Sequence, residues 1–407
     1  MRSKLSFPIL VNYINLISVL CLVFLFISSG FKFDRIALIV FFVSYIIEIF
    51  TDKKIQNFRL NKTTLYFLIM LFFFVLALLY IPFENGSNYT NLLLEKRTSL
   101  LAFGIVGLLG VNHLYNLKFF LYTFVLTSVI TIIYIVFKAD IHTFIANANR
   151  AELFAATRIQ YINGHMIFNF YMNISILSIW VLLKNYSGRF IFWYYGLLIS
   201  ALLIIVTVLY HTDGRSGFTA SILIMLSIAF YEIISRKRII GIVFLFIIPI
   251  IIMFVAGNHK RMSENAIKSE PRIFLWKSGL NVVAERPFLG HGINDAQVAF
   301  DGSRKKYQDA IFESYTANLK HVDCHNQYIQ TTMEFGIIGL SILLFLYIYP
   351  AFVVDKEMRL FSILVIALCM YQSVFDMFAT GSFSFIFVFL MLMLLRSYLP
   401  KADSELS

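Results

Sequence analysis

Long apolar runs broken by short polar clusters repeat along the whole chain. A bilayer span needs about 20 consecutive, mostly apolar residues. About twelve runs meet or approach that length, near 8–28, 36–50, 64–83, 98–113, 118–138, 164–183, 190–210, 217–234, 239–256, 326–354, 358–375 and 380–397. Long unbroken runs exclude a transmembrane barrel, whose strands alternate apolar and polar positions. The one extended polar stretch is 257–324, about 68 residues of mixed charge. Within it, IFLWKSGLNVV (273–283) reads as an amphipathic helix lying on the outer membrane face. The pattern predicts an all-α polytopic membrane protein in three parts: helices 1–9 over 1–256, a large external loop over 257–324, and helices 10–12 with a short tail over 325–407.

Composition narrows the class. Of 407 residues, 59% are hydrophobic and 14% are charged, against roughly 25% charged in soluble domains. That excludes a soluble enzyme, a disordered chain and a disulfide scaffold. The net charge of +11 changes the picture only when it is mapped. Sixteen Lys and Arg fall in the short loops on the side of the termini, eight in the short loops opposite, and ten in 257–324. The excess in short loops places both termini in the cytoplasm. The charge thus acts on topology, and no nucleic-acid partner is expected. The cysteines Cys21, Cys324 and Cys369 form no CxxC pair, so they support neither a zinc site nor a disulfide framework.

Candidate chemistry collects at the external ends of the spans. HTDGRSG (211–217) is a tight turn that sets Arg215 at the start of a helix. A helix N-terminus with a guanidinium suits a phosphate; an interfacial Arg reaching lipid headgroups is the plainer alternative. In PRIFLWKSGLNVVAERPFLGHG (271–292), Arg272 opens the amphipathic helix, Lys277 and Arg286 follow, and Gly290 and Gly292 flank His291 in a turn where backbone can approach a ligand closely. Here a basic helix holding the loop to anionic lipid is the alternative.

HNQYIQTTMEFGIIG (325–339) places His325 and Asn326 at the mouth of the tenth span. At 100° per residue a continuous helix would put Gly336 about 20° and Gly339 about 40° from His325, on a shared face, with Glu334 opposite and free to bond another helix. His165 and Asn169 open the sixth span and Glu95 and Arg97 the fourth, where capping roles are the plain reading. Cys324 beside His325 lacks an orienting third group, so a Cys/His nucleophile is not favoured.

These residues carry a resemblance. His325-Asn326, nine residues, Gly336, two residues and Gly339 resembles the H-[NSQ]-x9-G-x2-G motif of the O-antigen ligase (WaaL) family. Arg215 and Arg272 look like its two essential arginines, and ERPFLGHGIND (285–295), ending in Asp295, is similar to its NPLLGxGxxD segment.

The resemblance implies a GT-C-like membrane glycosyltransferase that needs no metal or other cofactor. Its donor would be a glycan on undecaprenyl pyrophosphate, its acceptor a lipid A–core sugar, and its site the periplasmic face of the bacterial inner membrane. It further implies His325 as catalytic base and Arg215 and Arg272 as pyrophosphate ligands. From their positions in the sequence, Asn326, Arg97, His165, Gly290, Gly292 and Asp295 are expected to support them, and Gly336 and Gly339 to pack helices. Wzy-type polymerases and protein O-oligosaccharyltransferases share these motifs. A polysaccharide or lipid transporter is the non-enzymatic alternative, which the near absence of mid-span charge disfavours.

Overall fold

The computed structural model describes residues 7–25, 33–51, 59–81, 90–111, 114–138, 165–186, 190–211, 215–235, 271–306, 322–380 and 384–397, with 239, 242 and 246. Most of the described residues are helical, and none lies in a strand. Eight of the described helices are long and apolar enough to cross a membrane, and Ile36–Thr51 and Ser384–Arg396 are shorter apolar helices. The ninth span read from the sequence, 239–256, lies almost wholly outside the described residues.

The chain divides into two compact units. The first contains α1 (Phe7–Leu25), α2 (Phe33–Thr51), α5 (Leu117–Lys138), α6 (His165–Lys184), α7 (Ile191–His211) and α8 (Arg215–Ile234). Its centre is α6, 94% buried over Met166–Lys184 and packed against α5, α7 and α8. Buried on all sides, α6 must satisfy its polar residues internally. Ser175 Oγ donates to Phe124 O, and Asn173 Nδ2 donates to Gly217 O at 2.9 Å.

The second unit contains α3 (Lys62–Tyr80), α4 (Thr90–Leu109), α9 (Pro271–Glu285), α10 (Ile293–Lys306), α11 (Gln327–Ile348), α12 (Arg359–Phe375) and most of α13 (Ser384–Arg396). α3 and α4 approach closely because Gly104 and Gly107 present no side chain: a Cβ there would overlap Leu71 and Phe67. The amphipathic helix read at 273–283 is α9. Its apolar face builds a small core of its own, where Leu275 and Val282 bury against Ala296 and Phe300 of α10, Val322, Cys324, and Met333 of α11. Two polar bonds close that core, from Gln297 Nε2 to Val322 O at 3.0 Å and from Ser303 Oγ to Ser278 O at 3.1 Å.

Candidate functional site

The site in the second unit is built where the chain enters α11. Asn326 stands in extended conformation as the N-cap, its side chain accepting from Tyr328 N and Ile329 N. Four amides at a helix start lack intrahelical acceptors, and Asn326 satisfies two of them. His325 therefore precedes the helix rather than belonging to it. Its φ is +48°, the one positive value at a non-glycine among the described residues. Strain of that kind persists only where the surroundings enforce it. Here the His325 amide donates to Asp323 Oδ1 at 3.0 Å, and the His325 carbonyl faces Trp276 Nε1 of α9 at 3.5 Å.

The imidazole is only partly exposed. Its Nδ1 lies 3.3 Å from Asp323 Oδ1 and 3.8 Å from Asp376 Oδ1, within ion-pair reach of both carboxylates but aligned for a hydrogen bond with neither. Burial pulls the imidazole pKa down. Asp376 and Asp323 pull it up and prevail, with Arg272 opposing them, so it lies above the ordinary histidine value. Asp376 ends α12, and the turn after it is fixed by Gln327. Gln327 Oε1 accepts from Ala379 N at 2.9 Å and Thr380 N at 3.0 Å, and its Nε2 donates to Thr331 Oγ1 and Thr380 Oγ1.

Arg272 lies in the first turn of α9, its guanidinium carbon 5.9 Å from the Phe375 ring centroid. Phe375 also meets Trp276, at 6.3 Å between centroids. One α9 face thus brings Arg272 and Trp276 to the junction of α11 and α12. Cys324 points the other way, into the small core, and burial raises its thiol pKa well above normal. A thiol held protonated is a poor nucleophile.

The helical-wheel relation among His325, Gly336 and Gly339 does not hold. His325 lies outside the helix, and α11 is broken at Gly336 (φ +62°, ψ −158°), a conformation essentially reserved for glycine. The break admits the backbone of the segment 286–292. Pro287 O accepts from Ile337 N at 2.9 Å, while His291 N and Gly292 N donate to Met333 O and Glu334 O at 2.8 Å each. A Cβ on Gly336 would lie 2.1 Å from Phe288 O, and one on Gly290 (φ +74°) would lie 2.5 Å from the Glu334 backbone. The close approach expected of this glycine turn is therefore made to α11. A Cβ on Gly339 would first meet Phe335 of its own helix.

Arg97 sits inside α4, which starts at Thr90, so it does not cap that helix. Glu334 receives it: Arg97 and Glu334 form a buried ion pair at 2.6 Å, with side chains 1% and 0% exposed. Gln330 Nε2 donates to the other carboxylate oxygen at 2.9 Å, and Arg97 also donates to Leu93 O. Asp295 lies in the first turn of α10 and accepts from Asn294 Nδ2.

In the first unit, Arg215 opens α8 and His165 opens α6; their side chains lie outside the described ones. The approach of α6 to α8 beside Arg215 depends on Gly217, where a Cβ would lie 2.3 Å from Asn169 Cβ. Asn169 is buried in this contact.

Asp323, Asp376 and Gln327 complete the surroundings of His325, and the sequence reading assigned them no role. Asp323 had a local signal, an acid two residues before the histidine. Asp376 and Gln327 are 51 and 53 residues from their partners His325 and Thr380, and a single sequence carries no trace of such pairings.

Part of the chain is similar in sequence to known proteins. Residues 198–344 match the O-antigen ligase family model. That segment contains Arg215, Arg272, His325, Gly336 and Gly339, the residues that carry the resemblance read from the sequence. Over 99 residues the chain is 28% identical to a "Putative polysaccharide ligase" of Rickettsia bellii (strain RML369-C). The match covers 22% of this chain and 23% of that protein, so it spans about a quarter of the relative's length. The chain is a multi-helix membrane protein whose segment 198–344 is similar to the O-antigen ligase family.

Proposed function

We propose that the chain is an inverting, metal-independent glycosyltransferase. It moves O-antigen polysaccharide from undecaprenyl pyrophosphate onto a lipid A–core sugar hydroxyl at the periplasmic face of the inner membrane. The observation that carries this reading is His325, held out of the helix between Asp323 and Asp376 in a segment with ligase-family character. With Nδ1 turned to the carboxylates, Nε2 has no partner among the described residues. It is the atom able to take a proton, as in other histidine bases oriented by an acid.

In the proposed step the acceptor hydroxyl oxygen attacks the anomeric carbon from the face opposite the carrier. The new glycosidic C–O bond forms as the anomeric C–O bond to pyrophosphate breaks. The hydroxyl proton passes to His325 Nε2, and undecaprenyl pyrophosphate departs with the bonding pair. Negative charge grows on the leaving group, so a fixed guanidinium lowers the barrier. Arg272, whose charge already acts on His325, is proposed for that task. Arg215 is proposed as a second ligand of the pyrophosphate on the strength of its motif. The fork geometry of Arg makes Lys a partial substitute at either position.

The test is complementation of a deletion strain with His325→Ala. Loss of polysaccharide from the lipid A core, with long glycan retained on undecaprenyl pyrophosphate and normal protein level, is the expected result. A core capped by a single repeat would instead identify a polymerase. Wild-type transfer by the variant would sink the base assignment.

A further inference from the structure

The end of α3 and the segment after α9 enclose an open groove of about 690 Å³. Its walls are apolar, from Leu76 and Leu79 on one side and Phe288 and Leu289 on the other, with Arg286 as its cation. Phe288 and Leu289 are 73% and 60% exposed although both are large and apolar. Water is a poor environment for such a pair, and hydrocarbon is a good one. The groove's shape is imposed by the break in α11: the Pro287–Gly292 backbone is bonded to Ile337, Met333 and Glu334, and Tyr80 at the end of α3 donates to Leu289 O. The wall is therefore preformed.

Two further facts define the occupant. α3 is long and apolar enough to cross a membrane, and Tyr80 is its last residue, so the groove lies where a span meets headgroups. Arg286 is exposed and forms no ion pair among the described residues, so its charge is available at the rim. His291 also lines the groove, but its Nε2 faces Val282 O at 3.1 Å, with Glu285 at 3.9 Å. That leaves Arg286 as the cation able to take an anion. From Arg272 to Arg286 the chain runs the length of α9, about 21 Å at 1.5 Å per residue. A phosphate on Arg286 is then a different phosphate from one held beside His325.

We infer that this groove is a binding site for an anionic glycerophospholipid of the bilayer. One acyl chain would lie against Leu76, Leu79 and Phe288, with the headgroup phosphate on Arg286. The complementarity is that of basic residues with acidic lipid at a membrane surface, worth about 1 kcal/mol per cation, or roughly fivefold in affinity.

The test uses the full chain purified in detergent, with lipid binding followed by native mass spectrometry. Phosphatidylglycerol is expected to bind several-fold more tightly than phosphatidylcholine. Arg286→Gln should remove that preference, a loss of about fivefold, and Leu79→Trp should fill the groove and weaken both lipids. Equal retention of the two lipids by the wild type, or an undiminished preference in Arg286→Gln, would overturn the proposal. So would displacement of phosphatidylglycerol by farnesyl phosphate at equal concentration, which would instead mark the groove as a site for the prenyl carrier.

Discussion

At the scale of the residue, His325 combines three imposed conditions: a left-handed backbone, two carboxylates at Nδ1, and a pKa raised above the usual imidazole value. The backbone and Asp323 belong to its position just ahead of a capped helix, and Asp376 is brought to it by the end of α12. As a base His325 acts in its neutral form, so activity rises with pH through its pKa. Carboxylates raise that pKa, which moves the acidic limb of kcat/KM to higher pH than an isolated histidine would show. Asp376→Asn removes one of the raising charges. The acidic limb is then expected to shift to lower pH, which a pH profile of glycan transfer in vitro checks. An unmoved limb would mean that Asp376 does not act through His325. Asp323 is less suited to the same test, because its side chain also accepts the His325 amide.

At the scale of the element, α11 is the organising helix of the second unit. The sequence reading makes it continuous from the His-Asn pair onward, because FGIIG is compatible with a helix. The backbone chooses otherwise at Gly336. An interruption costs helical hydrogen bonds, but the freed groups are recovered by the backbone of Pro287–Gly292, three bonds in all. Gly336→Ala meets both the conformational penalty, about 1–3 kcal/mol for a strained non-glycine position, and the Phe288 carbonyl. It should lower thermal stability in detergent by at least that amount and expose the 286–292 segment to protease. Gly196 is the matched control. It lies inside α7 with nothing near its Cβ position, so Gly196→Ala should leave stability unchanged or raise it by up to about 1 kcal/mol. A Gly336→Ala melt equal to that of Gly196→Ala would contradict the account of the break.

At the scale of the whole molecule, buried polar pairs select the partners of apolar helices that could otherwise pack in many ways. Arg97–Glu334 is the clearest case, joining α4 to α11 within the second unit. Removing one member of a buried pair strands the other and costs about 3–5 kcal/mol, whereas replacing both with apolar groups is often neutral. Arg97→Met and Glu334→Met should each destabilise the protein strongly and the double variant should recover much of the loss, as read from a double-mutant cycle of melting in detergent. The topology proposed from Lys and Arg counts has its own check. Reporter fusions after residue 400 should be active on the cytoplasmic side and fusions within 257–324 on the periplasmic side; the reverse pattern would overturn that orientation.

The sequence by itself determined the helical membrane class, the residue range of α9 and the motif residues Arg215, Arg272, His325 and Gly336. These rest on local composition, period and spacing, which a linear chain displays directly. The tertiary structure decided that Glu334 pairs with Arg97, that the glycine turn feeds a broken helix, and that Asp376 and Gln327 surround the histidine. Those choices depend on which buried donor finds which acceptor across 50 to more than 200 residues of chain. In an apolar interior such pairing is energetically compulsory, yet nothing in the local sequence states which partner will be reached.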